Sequence, residues 1–295
     1  MIEVSYMPGC TLKTTGKNFE DSTLRLLEEL DVKAVELEEW FCCGTTYSLA
    51  SDNLMYHLAP IRTLIRAKET GCAELLVLCS MCYNTLRRAQ QLILEDEKKR
   101  DKINDFMYKE QTVFNGQEVE VVHLLNYLTD IVGLEKIRGR IIKEPRDLRV
   151  ALYYGCMLLK PKEVSIDASS EDPTIMEEFF TACGIEPVYF PFKTECCGSY
   201  QTVNEKNMVL SRTKDITGSA VKNGADILIT SCPLCYFNLD SYQKKALETD
   251  PGFQTIPVMY ISQLLALLMG IEDTNDFSLH EVDPRPILKE KGLLV

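Results

Sequence analysis

The chain has 295 residues, 45% of them hydrophobic, enough for a sizeable core and by length alone favouring two domains. Forty-four acidic residues against thirty-two basic ones give a formal net charge of -12, which argues against nucleic acid or an anionic membrane surface as the main partner. The first residues carry no basic n-region and no apolar h-region, and the longest aliphatic run, 264–269, is far below the ~18 residues that span a bilayer, so a cytoplasmic protein without a membrane span is expected.

Short apolar runs alternate with helix-like segments along the chain. Strands are predicted at 2–6, 34–37, 75–78 and 118–122, then at 149–154, 187–190, 226–230 and 256–260. This alternation argues for parallel sheets flanked by helices, an α/β architecture in two Rossmann-like halves. The segment 92–117 is highly charged, has no counterpart of equal length in the second half, and reads as a solvated helical excursion. The stretch 136–147 carries charge, Gly139 and Pro145 and reads as a linker, dividing the chain into an N-terminal domain at 1–145 and a C-terminal domain at 146–295. After residue 272 the periodicity fades, and Asp283-Pro284-Arg285-Pro286 reads as an extended surface tail.

The two halves repeat. Residues 67–86 align with 220–239 without a gap, matching Gly71 to Gly224, Leu75 to Leu228, Cys79 to Cys232, Tyr83 to Tyr236 and Leu86 to Leu239. A second echo pairs 121–128 with 258–265, each a short strand running into an amphipathic helix.

Ten of the twelve cysteines fall into this repeat: Cys10, Cys42-Cys43-Gly44 and Cys79-x-x-Cys82 in the first half, Cys156, Cys196-Cys197-Gly198 and Cys232-x-x-Cys235 in the second. The gaps, 31 and 35 residues and then 39 and 34, are each about one helix and one strand long. Every motif cysteine therefore follows a predicted strand, and loops at the carboxyl ends of parallel strands gather at one edge of the sheet. A glycine after each Cys-Cys pair lets the backbone take positive φ or approach an inorganic core closely. In a reducing compartment such thiols are metal ligands before they are disulfides. Soft thiolates suit iron-sulfur clusters and zinc; a tetrahedral zinc ion in each half is the alternative, and it leaves the fifth thiol of each set without a role.

The pattern of cysteine, Cys-Cys-Gly and Cys-x-x-Cys resembles the CCG-domain family over nearly the whole chain. Within it the chain is similar to the heterodisulfide reductase B-subunit branch, since both five-cysteine copies are complete and no ferredoxin-type cysteine run is fused to them. The resemblance implies that Cys10, Cys42, Cys43, Cys79 and Cys82 hold one noncubane [4Fe-4S] cluster and that Cys156, Cys196, Cys197, Cys232 and Cys235 hold another. It further implies reduction of the CoM-S-S-CoB mixed disulfide between the two clusters, in methanogenesis. Electrons would come from an iron-sulfur C subunit and a flavin-containing A subunit, with a hydrogenase or formate dehydrogenase upstream. Other members of the family imply a different role, as the electron-transfer subunit of a lactate, glycolate, glycerol-3-phosphate or succinate dehydrogenase complex. A zinc-stabilised, non-enzymatic assembly subunit is a third reading.

An anionic disulfide needs cations beside the clusters, and the loop lysines Lys13, Lys17, Lys160, Lys162 and Lys193 are the candidates. Cys72 and Cys183 stand outside the repeat and read as packing residues. His57, His123 and His280 do not recur and read as structural or surface groups. No phosphate-cradling glycine loop occurs, so neither flavin nor NAD is expected in this chain.

Overall fold

The structure, a computed structural model, describes residues 1–45, 53–273 and 276–295. Two four-stranded parallel sheets form, one from each half. The first contains β1 (Ile2–Met7), β2 (Val32–Glu36), β3 (Glu74–Val77) and β4 (Glu120–His123) in the order β2-β1-β3-β4. The second contains β5 (Arg149–Tyr153), β6 (Glu186–Val188), β7 (Ile227–Thr230) and β8 (Val258–Tyr260) in the order β6-β5-β7-β8. All eight expected strands are present, with ends shifted by two residues or fewer.

Burial explains the apolar character of the inner strands. β1 and β7 lie inside their sheets, covered on both faces, so Val4, Tyr6 and Met7, like Ile227, Leu228 and Ile229, are at most 1% exposed. Because β1 pairs with both β2 and β3, and β5 with both β6 and β7, the chain winds in opposite senses from each first strand. The reversal opens a crevice at the carboxyl ends of β1 and β3, and likewise of β5 and β7. Cys10 follows β1 and Cys79 follows β3; Cys156 follows β5 and Cys232 follows β7.

The halves pack closely. Helix Lys17–Glu29, after Cys10, lies against helix Ile261–Leu268, and helix Leu134–Arg138 lies against helix Ile175–Ala182. The first contact is fixed by a buried Ser22 Oγ to Ser262 Oγ hydrogen bond of 2.7 Å and by Phe19 stacked on Tyr260 at 4.3 Å between ring centroids. Asn84 Nδ2 donates to the carbonyls of Met157 (2.8 Å) and Lys160 (2.7 Å), stitching the first Cys-x-x-Cys helix to the loop after Cys156.

Helix Ser80–Glu95 is followed directly by helix Glu97–Phe106, whose first turn is capped by the Asp96 side chain accepting from Lys99 N at 3.0 Å, so the charged excursion is helical. The end of the chain differs from the extended tail expected from sequence. Residues Arg285–Glu290 are helical, with the prolines at its entrance, where a missing N–H costs nothing. Leu288 and Leu293 are fully buried, and Asp240 accepts from the N–H groups of Glu281 (2.7 Å) and Val282 (3.1 Å). Two apolar anchors and a buried carboxylate thus hold a segment too short to show a period. Among the described residues no helix is long and apolar enough to cross a membrane.

Candidate metal centre

Each sheet crevice gathers its own thiols. In the first half Cys82 Sγ donates to Cys43 Sγ at 3.4 Å, and Cys79 and Cys42 bear on the protonation of that pair, with Cys10 bearing on Cys42. In the second half Cys197 Sγ and Cys235 Sγ lie 3.3 Å apart, Cys232 bears on the protonation of Cys235, and Cys156 on that of Cys196. The sets also adjoin each other: Ser80 Oγ, next to Cys79, donates to the Ser231 carbonyl, next to Cys232, at 3.4 Å across the domain boundary, and the two thiols bear on each other's protonation. Cys43, Cys79, Cys82, Cys197, Cys232 and Cys235 are buried, Cys156 and Cys196 half-buried, and Cys10 and Cys42 exposed.

The thiols do not share their protons evenly. Hydrogen bonds from Cys42 and Cys82 draw Cys43 down to about 3, against the effect of burial. A bond from Cys156, helped by the Gly198 N–H at 3.3 Å and the Arg212 charge, lowers Cys196 to about 6. Bonds from Cys235 and then Cys79 lower Cys232, while their donors Cys82, Cys79 and Cys235 are pushed up. Each crevice is therefore poised to hold thiolates, the form that binds metal.

Glycine shapes both crevices. Gly44 and Gly198 each have φ of 77°, as the Cys-Cys-Gly pattern suggests. Gly9 and Gly155, before the first cysteine of each set, also have positive φ, and a Cβ there would stand 3.0 Å from Cys82 Sγ and 3.3 Å from Cys235 Sγ. The recurrent Gly-Cys dipeptide was the signal available for them. Thr85 and Asn238, opposite each other in the aligned repeat, both flank the second cysteine of the Cys-Cys pair: Thr85, whose hydroxyl donates to the Met81 carbonyl at 3.0 Å, bears on Cys43, and Asn238 Nδ2 donates to the Cys197 carbonyl at 3.2 Å. Arg212 Nε donates to the Cys196 carbonyl at 3.1 Å; it has no repeat partner and carries no sequence signal.

The five lysines are placed differently from one another. Lys13 is held by Glu20 and Glu36, both at 2.7 Å, Lys17 by Asp21 at 2.9 Å, and Lys160 by Glu171 at 3.4 Å. Lys193 is buried, bound to Asp172 (2.8 Å), Glu177 (3.1 Å) and the Pro173 carbonyl (2.8 Å). Lys162 is exposed on a short 3-10 turn. Cys183 is buried beyond the last turn of its helix, where desolvation raises its thiol to about 12, and Cys72 is half-exposed after Thr70. His123 is fully buried with Nε2 3.2 Å from the Leu78 carbonyl, and His280 Nε2 lies 3.1 Å from Gln263 Nε2.

Among the described residues no three His, Cys, Asp or Glu side chains close around a single ion position. The donor set nonetheless fits an iron-sulfur group: each half offers five soft sulfurs from three loops, largely withdrawn from water, with the thiolate form already favoured at Cys43, Cys196 and Cys232.

Fold and site together define a two-domain parallel α/β protein that collects five thiols at the crevice of each sheet. Residues 4–87 and 150–240 match the cysteine-rich domain family, CCG, and the chain belongs to that family. It is similar to the 8-methylmenaquinol:fumarate reductase membrane anchor subunit of Wolinella succinogenes, 32% identical over 91% of this chain and 93% of that one. It is also similar to the B subunit of the ferredoxin/F(420)H(2)-dependent CoB-CoM heterodisulfide reductase of Methanosarcina acetivorans, 28% identical over 92% and 90% of the two chains. These relatives are subunits of oxidoreductases. A crystal structure of a hypothetical protein from Helicobacter pylori superposes with a TM-score of 0.76 over 95% of this chain and 51% of that one, at 16% identity, a likeness of fold in which this chain spans about half the other.

Proposed function

We propose that this chain is the two-centre iron-sulfur subunit of a multi-subunit oxidoreductase, passing electrons between a carrier of the quinone class and a catalytic partner subunit that acts on fumarate. One observation carries the reading: the buried Ser80 Oγ, next to Cys79, donates to the Ser231 carbonyl, next to Cys232, at 3.4 Å across the domain boundary, so the two thiol sets share a wall, while Cys10 and Cys42 are exposed. Iron-sulfur centres, when bound, exchange electrons one at a time. The residues do the rest. Buried Cys43, Cys79, Cys82, Cys197, Cys232 and Cys235 keep water from the inner walls, Gly9 and Gly155 let the chain pass close over sulfur, and exposed Cys10 and Cys42 open one crevice toward a partner. The Wolinella relative supports a place beside a fumarate-class catalytic subunit.

Reduction of the CoM-S-S-CoB mixed disulfide between two noncubane [4Fe-4S] clusters is the second reading. The Methanosarcina relative, aligned over nine-tenths of both chains, favours it. Against it, four of the five lysines offered for an anionic disulfide are already tied to carboxylates. Under that reading the partners are the iron-sulfur C and flavin-containing A subunits.

The test is anaerobic purification with iron and sulfide analysis, then reduction with dithionite and rapid mixing with oxidants. Reoxidation by fumarate or a menaquinone through the co-purified partner, with no response to the mixed disulfide, is expected. Reoxidation by the mixed disulfide alone would transfer the assignment to the second reading. A chain carrying only zinc would overturn both.

A further inference from the structure

Tyr260 ends β8 inside the domain boundary. Its ring is clamped between Phe19 (4.3 Å, 2° between planes) and Tyr236 (4.4 Å, 24°), so the side chain has no freedom to turn. The residue is 0% exposed, and its hydroxyl has no hydrogen-bond partner among the described residues. Leaving a buried hydroxyl unpaired costs roughly 1–3 kcal/mol, which a fold does not ordinarily leave uncompensated.

The surroundings identify the missing acceptor. A Cβ on Gly16 would stand 3.6 Å from the Tyr260 hydroxyl and 3.1 Å from Cβ of Pro233, inside the Cys232-Pro233-Leu234-Cys235 motif. Thr230, two residues before Cys232, is the β7 partner of Tyr260. Tyr236, Cys232 and Cys79 are the ionisable groups that bear most on the phenol, after burial itself. The hydroxyl thus lies beside Gly16 and the turn that carries the Cys232 motif. Ser231 Oγ, next to Cys232, is a second buried hydroxyl without a partner. The corresponding places in the first half are taken by His123 and Leu78, and there the imidazole is satisfied by the Leu78 carbonyl.

We infer that the Tyr260 hydroxyl is a hydrogen-bond donor to sulfur of the iron-sulfur group at the Cys79 and Cys232 wall, a positioning group that raises the reduction potential there and makes the two centres unequal. The physical reason is that reduction adds negative charge to the cluster sulfurs, so a fixed O–H donor stabilises the reduced form more than the oxidised one. This rests on the two-centre reading above, and iron and sulfide content is measured first so that the two fail separately. Chains without iron overturn that reading. In iron-loaded protein, Tyr260→Phe keeps the aromatic stack and removes only the hydroxyl. The expected result is a lower midpoint potential for one centre in an EPR-monitored redox titration, with altered iron-sulfur stretching frequencies and unchanged iron content. Site-specific 3,5-difluorotyrosine at position 260, a stronger donor, should move the midpoint the opposite way, which covers the case in which the phenylalanine variant fails to load. Iron-loaded protein whose midpoints and stretching frequencies ignore these changes would overturn the inference.

Discussion

Replacing a ligand sulfur with a hydroxyl leaves size almost unchanged and removes a soft donor, so serine separates ligands from packing residues. Cys43→Ser or Cys197→Ser should lower iron and sulfide content to about half, each sparing the other centre. Cys72→Ser and Cys183→Ser should leave both contents intact, because neither thiol belongs to a set; loss of a centre there would refute the ligand assignment. The glycines allow a graded test. Alanine at Gly9 or Gly155 must adopt positive φ, at a cost of about 1–2 kcal/mol, and also crowd a thiol. Gly9→Ala, at 3.0 Å from Cys82 Sγ, should destabilise more than Gly155→Ala, at 3.3 Å from Cys235 Sγ, in anaerobic thermal unfolding. At this scale the sequence was informative wherever chemistry and repetition coincide. The ten repeated thiols gather in two crevices, whereas Arg212 was invisible, since one arginine on a charged helix carries no pattern.

At the scale of elements, eight strands were legible because each is a short run rich in apolar residues set between helix-like segments, and six of them lead into a cysteine motif. The C-terminal segment was not, because its docking depends on single distant groups: Asp240, Gln263, and pockets for Leu288 and Leu293. That docking has a pH signature. Gln263 Oε1 accepts from Tyr260 N, so its NH2 group faces His280 Nε2, and a protonated imidazole would set donor against donor. Burial lowers His280 to about 4, below the 6.5 of the free side chain. Its contribution is thus fully present above pH 6.5 and declines as the pH falls toward 4, a loss of about 2 kcal/mol at pH 5. Asp240, raised by burial to about 6, acts in the opposite sense, its contribution lost as pH rises through 6. His280→Gln should therefore gain stability relative to the parent between pH 8 and pH 5; an equal difference in melting temperature at both pH values would refute this.

For the whole molecule, what sequence left unread is how the halves meet. Asn84, Ser22 and Ser262 join segments between 73 and 240 residues apart, and such pairings leave no periodic trace. Asn84→Ala would strip the Met157 and Lys160 carbonyls of their donor, costing about 2 kcal/mol and lowering the midpoint of anaerobic urea unfolding. An unchanged midpoint would show that the halves are held by apolar packing alone. The contact of Cys79 with Cys232 joins two residues that match in the repeat, and the helix after the first cysteine of each half packs on the helix after the last strand of the other. Those are the relations of an approximate twofold axis passing between the two sulfurs. Two separate, identical subunits around such an axis would be compelled to carry indistinguishable sites at rest, with no preferred direction for charge. Covalent fusion lifts that constraint, letting one side of the axis present a phenol where the other presents an imidazole.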